Sequence, residues 1–153
     1  VIAGGIGAGP AKYTFKNGAS YEGGYKENVK DGPAGKFVYP DKSSYEGCWV
    51  ADKKTGEGVY KYASGDVYKG SWSNDCKQGQ GSYFFKASKS TFMGEWAKGH
   101  FVKGEWILKD GTIFKGTFKN NNPLEGTFTF AKTGNVVCGK FDKKGFFVEN
   151  TPC

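Results

Sequence analysis

A five-residue pattern, aromatic–x–Gly–x–aromatic, recurs along this chain at a nearly constant interval. Its clearest copy runs from Tyr68 to Trp72. The six copies begin at Tyr21, Tyr45, Tyr68, Phe92, Phe114 and Val137. The separations between these first residues are 24, 23, 24, 22 and 23. A fixed period in the twenties indicates one supersecondary unit stacked on copies of itself.

A second alternating run precedes each of these pentads. The runs begin at Ala11, Gly35, Gly58, Gly81, Gly104 and Gly126, and each carries aromatic or large apolar residues at its third and fifth positions. Turn-forming pairs such as Asn17-Gly18, Ser64-Gly65 and Asp110-Gly111 separate a run from the next pentad. Each unit is therefore predicted to be a strand, a tight turn, a second strand and a six- to seven-residue return loop. No stretch keeps a helical period without an interrupting glycine, so no helix is predicted.

Alternation also assigns the two faces of each strand. Tyr68, Gly70 and Trp72 should share one face, with Lys69 and Ser71 on the other. Stacking would align the aromatics in rows and the central glycines in a row beside them. These repeat glycines are Gly23, Gly47, Gly70, Gly94, Gly116 and Gly139. Glycine weakens a strand unless something approaches closely, so the row should leave space for neighbouring rings to lie across it.

The pentad, together with a following Gly-x-Gly-x-aromatic run such as Gly79 to Tyr83, resembles the MORN repeat (membrane occupation and recognition nexus). The resemblance implies an all-β fold, an elongated array of about six antiparallel β-hairpins in a twisted, solenoid-like sheet. Residues 1–9 would be an N-terminal cap or flexible segment, residues 10–141 the array, and residues 142–153 a C-terminal edge strand and tail. Two glycine pairs, at 32–35 and 102–104, are degraded, and Val137 replaces the first aromatic of the sixth pentad.

Charge narrows the range of partners. The net charge is +7, and all 22 basic residues are lysine. Bidentate recognition of bases favours arginine, so sequence-specific nucleic-acid binding is not expected. Residues 77–153 carry 12 lysines against 6 acids, which could face an acidic partner or an anionic lipid surface. The alternative is an ordinary solvated surface.

Catalytic and metal chemistry find little support. The single histidine, His100, is predicted to be an exposed residue of a return loop. No zinc-binding spacing exists among Cys48, Cys76, Cys138 and Cys153, and the first and third should lie too far apart to pair. We therefore expect reduced cysteines, no cofactor, no metal and no enzymatic activity.

The aromatic ladder is the predicted partner-binding site. Its members are Tyr21, Tyr25, Tyr45, Trp49, Tyr68, Trp72, Phe92, Trp96, Trp106, Phe114 and Phe118. The alternative is that these rings form the core of the repeat, because aromatic side chains dominate core energetics.

The resemblance implies a non-catalytic scaffold with protein partners, nearest in type to ciliary radial-spoke or cytoskeletal MORN proteins. A location in the cytoskeleton or in the axoneme of a cilium or flagellum follows from it, and the expectation of reduced cysteines indicates a cytoplasmic compartment. The alternatives are a module contacting acidic phospholipids through the basic C-terminal half, and a regulatory array cut from a larger enzyme. Open strand edges at the ends could also support a homodimer or larger complex.

Overall fold

The computed structural model describes residues 8–150 and 153, and this part of the chain contains strands and no helix. The strands are β1 (Ala8–Thr14), β2 (Ser20–Lys26), β3 (Val29–Val38), β4 (Ser44–Val50), β5 (Lys53–Lys61), β6 (Val67–Ser73), β7 (Cys76–Phe85), β8 (Ser90–Ala97), β9 (His100–Ile107), β10 (Ile113–Lys119), β11 (Asn122–Thr129), β12 (Val136–Phe141) and β13 (Phe147–Asn150). The predicted all-β class is confirmed. Most of the predicted N-terminal cap, residues 1–7, lies outside the described residues.

The chain divides into two compact units, the first ending at Lys77 and the second beginning at Gln78. Within the first unit, each strand from β1 to β5 pairs antiparallel with the next strand in the chain. In the second unit, which includes β7 from Gln78 onward, each strand from β7 to β12 does the same. The predicted succession of antiparallel hairpins is present in both units.

The tight turns lie where the sequence predicted return loops. Two residues join β2 to β3, β4 to β5, β8 to β9 and β10 to β11. Pairs such as Ala51-Asp52 and Asn120-Asn121 have positive φ at both positions, as a type I′ turn requires. The predicted six- to seven-residue return loops are therefore wrong. The cause is that β3, β5, β7, β9 and β11 begin four to six residues before their aromatic run, so they occupy most of each supposed loop. His100 accordingly begins β9, although it is exposed as predicted.

The connections predicted to be tight turns are instead loops of four to six residues. Side chains near their centres fix their shape. Asn17, Asp41 and Asp110 each accept a hydrogen bond at 2.9 Å from the backbone N–H two residues later. The acceptor bonds lower the pKa of Asp41 and Asp110, and a bond from the Ser43 hydroxyl contributes most at Asp41.

Glycine pairs with glycine across the strands of both units, except in the β1–β2 and β12–β13 pairs, where Gly23 faces Ala11 and Gly139 faces Glu149. In the first unit the row is Gly23, Gly35, Gly47, Gly58 and Gly70. In the second it is Gly81, Gly94, Gly104, Gly116, Gly126 and Gly139. A one-residue slip would move every side chain to the opposite face, so this row fixes which residues are buried.

The predicted assignment of faces is confirmed. Tyr68 and Trp72 are buried, whereas Lys69 is exposed. The completely buried side chains are the rings of Tyr21, Tyr45, Tyr68, Phe101 and Phe114. The core of each unit is thus a line of aromatic rings on one face of its strands.

The C-terminal segment is held by a covalent bond. β13 pairs with β12 along the edge predicted for it, and a disulfide joins Cys138 of β12 to Cys153. The expectation of reduced cysteines is wrong for this pair, because β13 carries the chain back alongside β12 and brings Cys153 next to Cys138. Cys48 and Cys76 are free thiols. Residues 151–152 of the predicted tail lie outside the described residues.

Candidate functional site

The three tyrosines that begin the pentads of the first unit each bend back over the central glycine of their own pentad. The hydroxyl of Tyr45 donates to the Cys48 carbonyl at 3.0 Å, and that of Tyr68 donates to the Ser71 carbonyl at 2.9 Å. Tyr21 makes the same bond to Gly24. Each buried hydroxyl is thereby satisfied three residues along its own strand.

The central glycines make this arrangement possible. A Cβ placed on Gly47 would lie 2.8 Å from the Tyr45 hydroxyl oxygen and 2.5 Å from the Gly58 Cα. A Cβ on Gly58 would collide with the ring of Tyr45 itself. The predicted space for a ring beside the glycine row is confirmed, and the rings that use it belong to the same repeat and its neighbour.

The tryptophans lock adjacent hairpins together. The indole Nε1–H of Trp49 donates to the Gly35 carbonyl at 3.0 Å, and that of Trp72 donates to the Gly58 carbonyl at 3.3 Å. Trp96 makes the equivalent bond to Gly81 in the second unit. Edge-to-face contacts reinforce the row, with Tyr45 and Trp49 centroids 5.1 Å apart.

Three lysines of the first unit lie beside these rings. Lys30, Lys54 and Lys77 occupy the second position of β3, β5 and β7. Their ammonium groups lie 5.0 to 5.9 Å from the centroids of aromatic rings, within the range of cation–π attraction. Burial lowers the pKa of Lys77.

The acidic turn residues complete this arrangement. Asp52 accepts a hydrogen bond from the Lys30 backbone N–H at 2.7 Å, and its carboxylate lies 3.0 Å from the Lys30 ammonium. Asp75 contacts Lys54 in the same way, at 2.8 Å and 3.3 Å. Burial would raise the pKa of Asp52, but the hydrogen bonds from Lys30 outweigh burial and lower it. An aspartate thus links each of these two tight turns to the hairpin before it.

The second unit has a phenylalanine at this position in β9. Phe101 stands at the second position of β9, where the first unit has lysine, and it is completely buried. Its ring stacks on Phe92 with centroids 4.6 Å apart. The Phe101 backbone N–H donates to Asn121 at 2.8 Å, so the turn-to-strand bond persists without an ion pair.

Most members of the predicted ladder are buried. The buried rings are Tyr21, Tyr45, Trp49, Tyr68, Trp72, Phe92, Trp96, Phe114 and Phe118, and the half-buried ones are Tyr25 and Trp106. The structure brings these rings together in rows within each unit. Their role in binding partners stays a prediction.

A second set of rings, which the sequence interpretation left out of the site, is only half-buried. We call Tyr13, Phe15, Phe37, Tyr39, Tyr60 and Tyr62 the aromatic ribbon. Consecutive members have ring centroids 4.5 to 5.7 Å apart, so the rings form one continuous surface of the first unit. The signal that could have identified them is their position near the end of each run, next to a loop rather than at the glycine row.

The opposite face of the strands carries alternating charge. Across successive strands of the first unit, Lys12 faces Glu22, Glu22 faces Lys36, and Lys36 faces Glu46. In the second unit, Glu105 faces both Met93 and Lys115. Opposite charges directly across a sheet stabilise the pairing. These cross-strand rows are therefore mixed in sign and not uniformly basic.

No constellation for catalysis emerges from the described residues. Among residues 8–150 and 153, no group of three or more His, Cys, Asp or Glu could hold a metal ion. Nor does any helix in the described part of the chain qualify to span a membrane. Burial, together with nearby carboxylates, raises the pKa of Tyr21 to about 12, so this phenol stays neutral at physiological pH.

Compared with known proteins, part of the first unit and the strand that follows it match a protein family. The family model described as "MORN repeat" matches residues 21–44, 45–67 and 68–87. No curated protein matches the chain significantly in sequence. A solved structure titled "SAS-4 (dCPAP) TCP domain in complex with a Proline Rich Motif of Ana2 (dSTIL) of Drosophila Melanogaster" is similar, with TM-score 0.43 and 12% identity over 94% of this chain and 84% of that chain.

The matched segments coincide with the structural repeat. They begin at Tyr21, Tyr45 and Tyr68, the three tyrosines that bend over their own glycines. Each match therefore covers one pentad strand and the strand that follows it. Residues 21–87 match three consecutive MORN repeats, so this part of the chain is a MORN-repeat array.

Proposed function

We propose that this chain is a non-catalytic scaffold that binds partner proteins through the aromatic ribbon of its first unit. The observation that carries the proposal is the unbroken line of half-buried rings from Tyr13 to Tyr62. Tyrosine and other aromatic side chains are enriched at protein interfaces, where they bury a large area at a small cost in side-chain entropy.

The ribbon also lies on a firm support. Phe37 contacts the buried rings of Tyr21 and Trp49, with centroids 6.5 and 6.2 Å away. Tyr60 contacts Trp72 at 6.0 Å. A surface whose rings are held by packing loses little freedom on binding, and this favours its use as a docking platform.

We further propose a ciliary, flagellar or cytoskeletal setting, within the cytoplasm. Support for this setting comes from the family resemblance alone, and the Cys138–Cys153 disulfide counts against it, because disulfides are rare in cytosolic proteins. A regulatory array within a larger enzyme is the alternative that shares the same binding role, and the phospholipid module is the alternative that does not.

Affinity purification from a ciliated cell tests the proposal. The full chain is compared with a Tyr39→Ala, Tyr62→Ala variant, and with Phe84→Ala as the control. Phe84 is a partly exposed ring of β7 outside the ribbon. We expect cytoskeletal or axonemal proteins with the parent and the control, and their loss with the ribbon variant. Equal recovery by all three, or recovery of soluble metabolic enzymes only, would refute the proposal.

Vesicle sedimentation addresses the phospholipid alternative. The lysine excess of residues 77–153 is its support, although the strands there also carry Glu95, Glu105 and Glu125. The scaffold proposal predicts equal, low sedimentation with neutral vesicles and with phosphoinositide vesicles at low salt. Strong sedimentation with the phosphoinositide vesicles alone would favour the lipid module.

A further inference from the structure

A cavity of about 480 Å³ lies in the second unit. Its apolar walls include Trp106 of β9, Pro123 and Leu124 of β11, and Phe141 of β12. Leu124 is 44% exposed and Trp106 is half-buried. The cavity is therefore an open, apolar depression on the surface of this unit.

Phe141, in the wall of this cavity, stands at the pentad position where three earlier repeats have tryptophan. The fifth pentad residue is Trp49, Trp72 and Trp96 in three repeats, and each indole donates to a glycine carbonyl. The last two pentads have Phe118 and Phe141 there instead. A phenyl ring is smaller than an indole and has no N–H to donate.

Trp106 differs from the other three tryptophans. It is the third residue of the alternating run that begins at Gly104, and it does not occupy the fifth position of a pentad. Its Nε1–H has no hydrogen-bond acceptor among the described residues, whereas the other three indoles have one each. A molecule seated in the cavity could supply that acceptor.

The rim of the cavity is positively charged. Lys119 and Lys143 line it and are exposed. The one acid in the lining is Asp142, whose carboxylate already accepts hydrogen bonds from the backbone N–H groups of Lys144 and Phe146 at 2.9 Å each. Asp142 keeps its charge in these bonds, so the lining carries two positive charges and one negative charge, and an acidic ligand would be attracted by the two lysines.

We propose that this cavity binds a segment of a partner protein in which an aromatic or aliphatic side chain is flanked by carboxylates. The apolar side chain fills the space against Trp106 and Phe141. A backbone carbonyl of the segment accepts from the Trp106 indole, and its carboxylates lie near Lys119 and Lys143. The inference rests on the proposed scaffold function, and it adds a second contact point of defined chemistry in the other unit.

Indole NMR signals of the full chain provide the test. The probe is a blocked peptide with one phenylalanine flanked by two glutamates on each side. Protein labelled with ¹⁵N at tryptophan gives four indole signals, one for each tryptophan, and Trp106→Phe identifies its own by loss. We expect the peptide to shift the Trp106 signal and leave the three hydrogen-bonded indoles in place.

Charge-reversal variants sharpen the result. Lys119→Glu and Lys143→Glu should each weaken peptide binding about two- to fivefold, the range for exposed ion pairs. Lys69→Glu, on an exposed residue of the first unit, is the matched control and should leave binding unchanged. Control peptides with lysine in place of glutamate, or alanine in place of phenylalanine, should give no shift.

The proposal is overturned if the Trp106 signal does not move, if the lysine peptide shifts it equally, or if charge reversal has no effect. The three remaining indole signals of Trp106→Phe report whether that variant is folded. Failure here would leave the ribbon experiment untouched, because Tyr39 and Tyr62 belong to the first unit. A negative result in the affinity purification with the ribbon variant would likewise not affect whether the peptide shifts the Trp106 signal.

Discussion

The two units use the same backbone pattern with different side-chain chemistry. Eight of the nine tyrosines precede residue 78, and eleven of the thirteen phenylalanines follow it. The first unit satisfies buried hydroxyls, and its buried and half-buried lysines lie beside aromatic rings, with Lys30 and Lys54 also paired to aspartates. The second replaces hydroxyls and lysines with phenyl rings that pack on one another, as Phe92 does on Phe101.

The comparison shows which features the repeat requires. Both units keep the glycine row and at least one turn side chain that binds the preceding hairpin. Among the described residues, the tyrosine hydroxyl at the start of the pentad and the lysine beside the rings are found in the first unit only, because the second unit has Phe92 and Phe101 at such positions. We infer that the glycine row and the volume of the aromatic rings specify the fold. Polar groups that bind one another, such as Lys54 and Asp75, can be replaced if both are changed together.

The largest loss of stability is expected from adding a side chain at a glycine of the row that both units share. We expect Gly58→Ala to lower the free energy of unfolding by about 3 kcal/mol, because the new methyl group collides with the Tyr45 ring. Urea denaturation of the full chain measures this. Gly18→Asn is the control, since Gly18 has positive φ and no neighbour within 4 Å of an added Cβ. Equal loss in both variants would contradict the role of the row.

A covalent bond distinguishes the second unit from the first. Cys153→Ser should destabilise the second unit by about 2–3 kcal/mol, because the disulfide closes a loop of 15 residues. Hydrogen exchange should show faster opening in β12 and β13 and no change in β2 to β6. Cys76→Ser, at an exposed free thiol, is the control. Unchanged exchange in β13 would mean that strand pairing alone holds the C-terminus.

The lysine–aspartate pair of the first unit can be replaced by the phenylalanine–asparagine pair of the second to test whether the two pairs are equivalent. Lys54→Ala should cost about 2 kcal/mol, because it removes the ring contacts and the ion pair with Asp75. The double variant Lys54→Phe, Asp75→Asn copies the Phe101–Asn121 pair of the second unit. It should cost less than about 1 kcal/mol by chemical denaturation. A double variant as unstable as the alanine variant would show that the lysine is specifically required.

A smaller effect is expected from a single buried hydroxyl. Tyr45→Phe leaves the Cys48 carbonyl without its donor and should cost about 1 kcal/mol. Tyr13→Phe, at a half-buried ribbon tyrosine, should be nearly neutral by the same measurement. If the two changes have equal effects, the hydroxyl bond contributes nothing specific to the first unit.

The tyrosines also give the first unit a distinct response to alkali. Burial raises the pKa of Tyr21 and Tyr62 to about 12, above the value near 10 expected in an unfolded chain. Their contribution is complete below pH 10 and should be lost as pH rises from about 10 to 12. Denaturation followed across this range should show a decline that shrinks in Tyr21→Phe, Tyr62→Phe. An identical decline in that variant would assign it to other groups.

Sequence predicted the repeat, the strand faces and the glycine row, because each follows from a period that can be read directly. It misplaced the tight turns, because Asn-Gly and Asp-Gly pairs are typical of tight turns but here lie in the longer loops. The true tight turns include pairs such as Ala51-Asp52, which adopt positive φ without glycine. It missed the partner of Cys138, because that contact depends on β13 returning beside β12. It missed the ribbon and the Trp106 cavity, because the exposure of a ring depends on what packs against it.

The most direct test of the central claim, that tyrosine rings lie over a continuous row of glycines, is the proton NMR spectrum of the glycine α-protons. We expect those of Gly35 and Gly58 to be shifted upfield by ring currents and to show NOEs to the rings of Tyr21 and Tyr45, while Gly18 shows neither. Unshifted α-protons at Gly35 and Gly58, without these NOEs, would contradict the account.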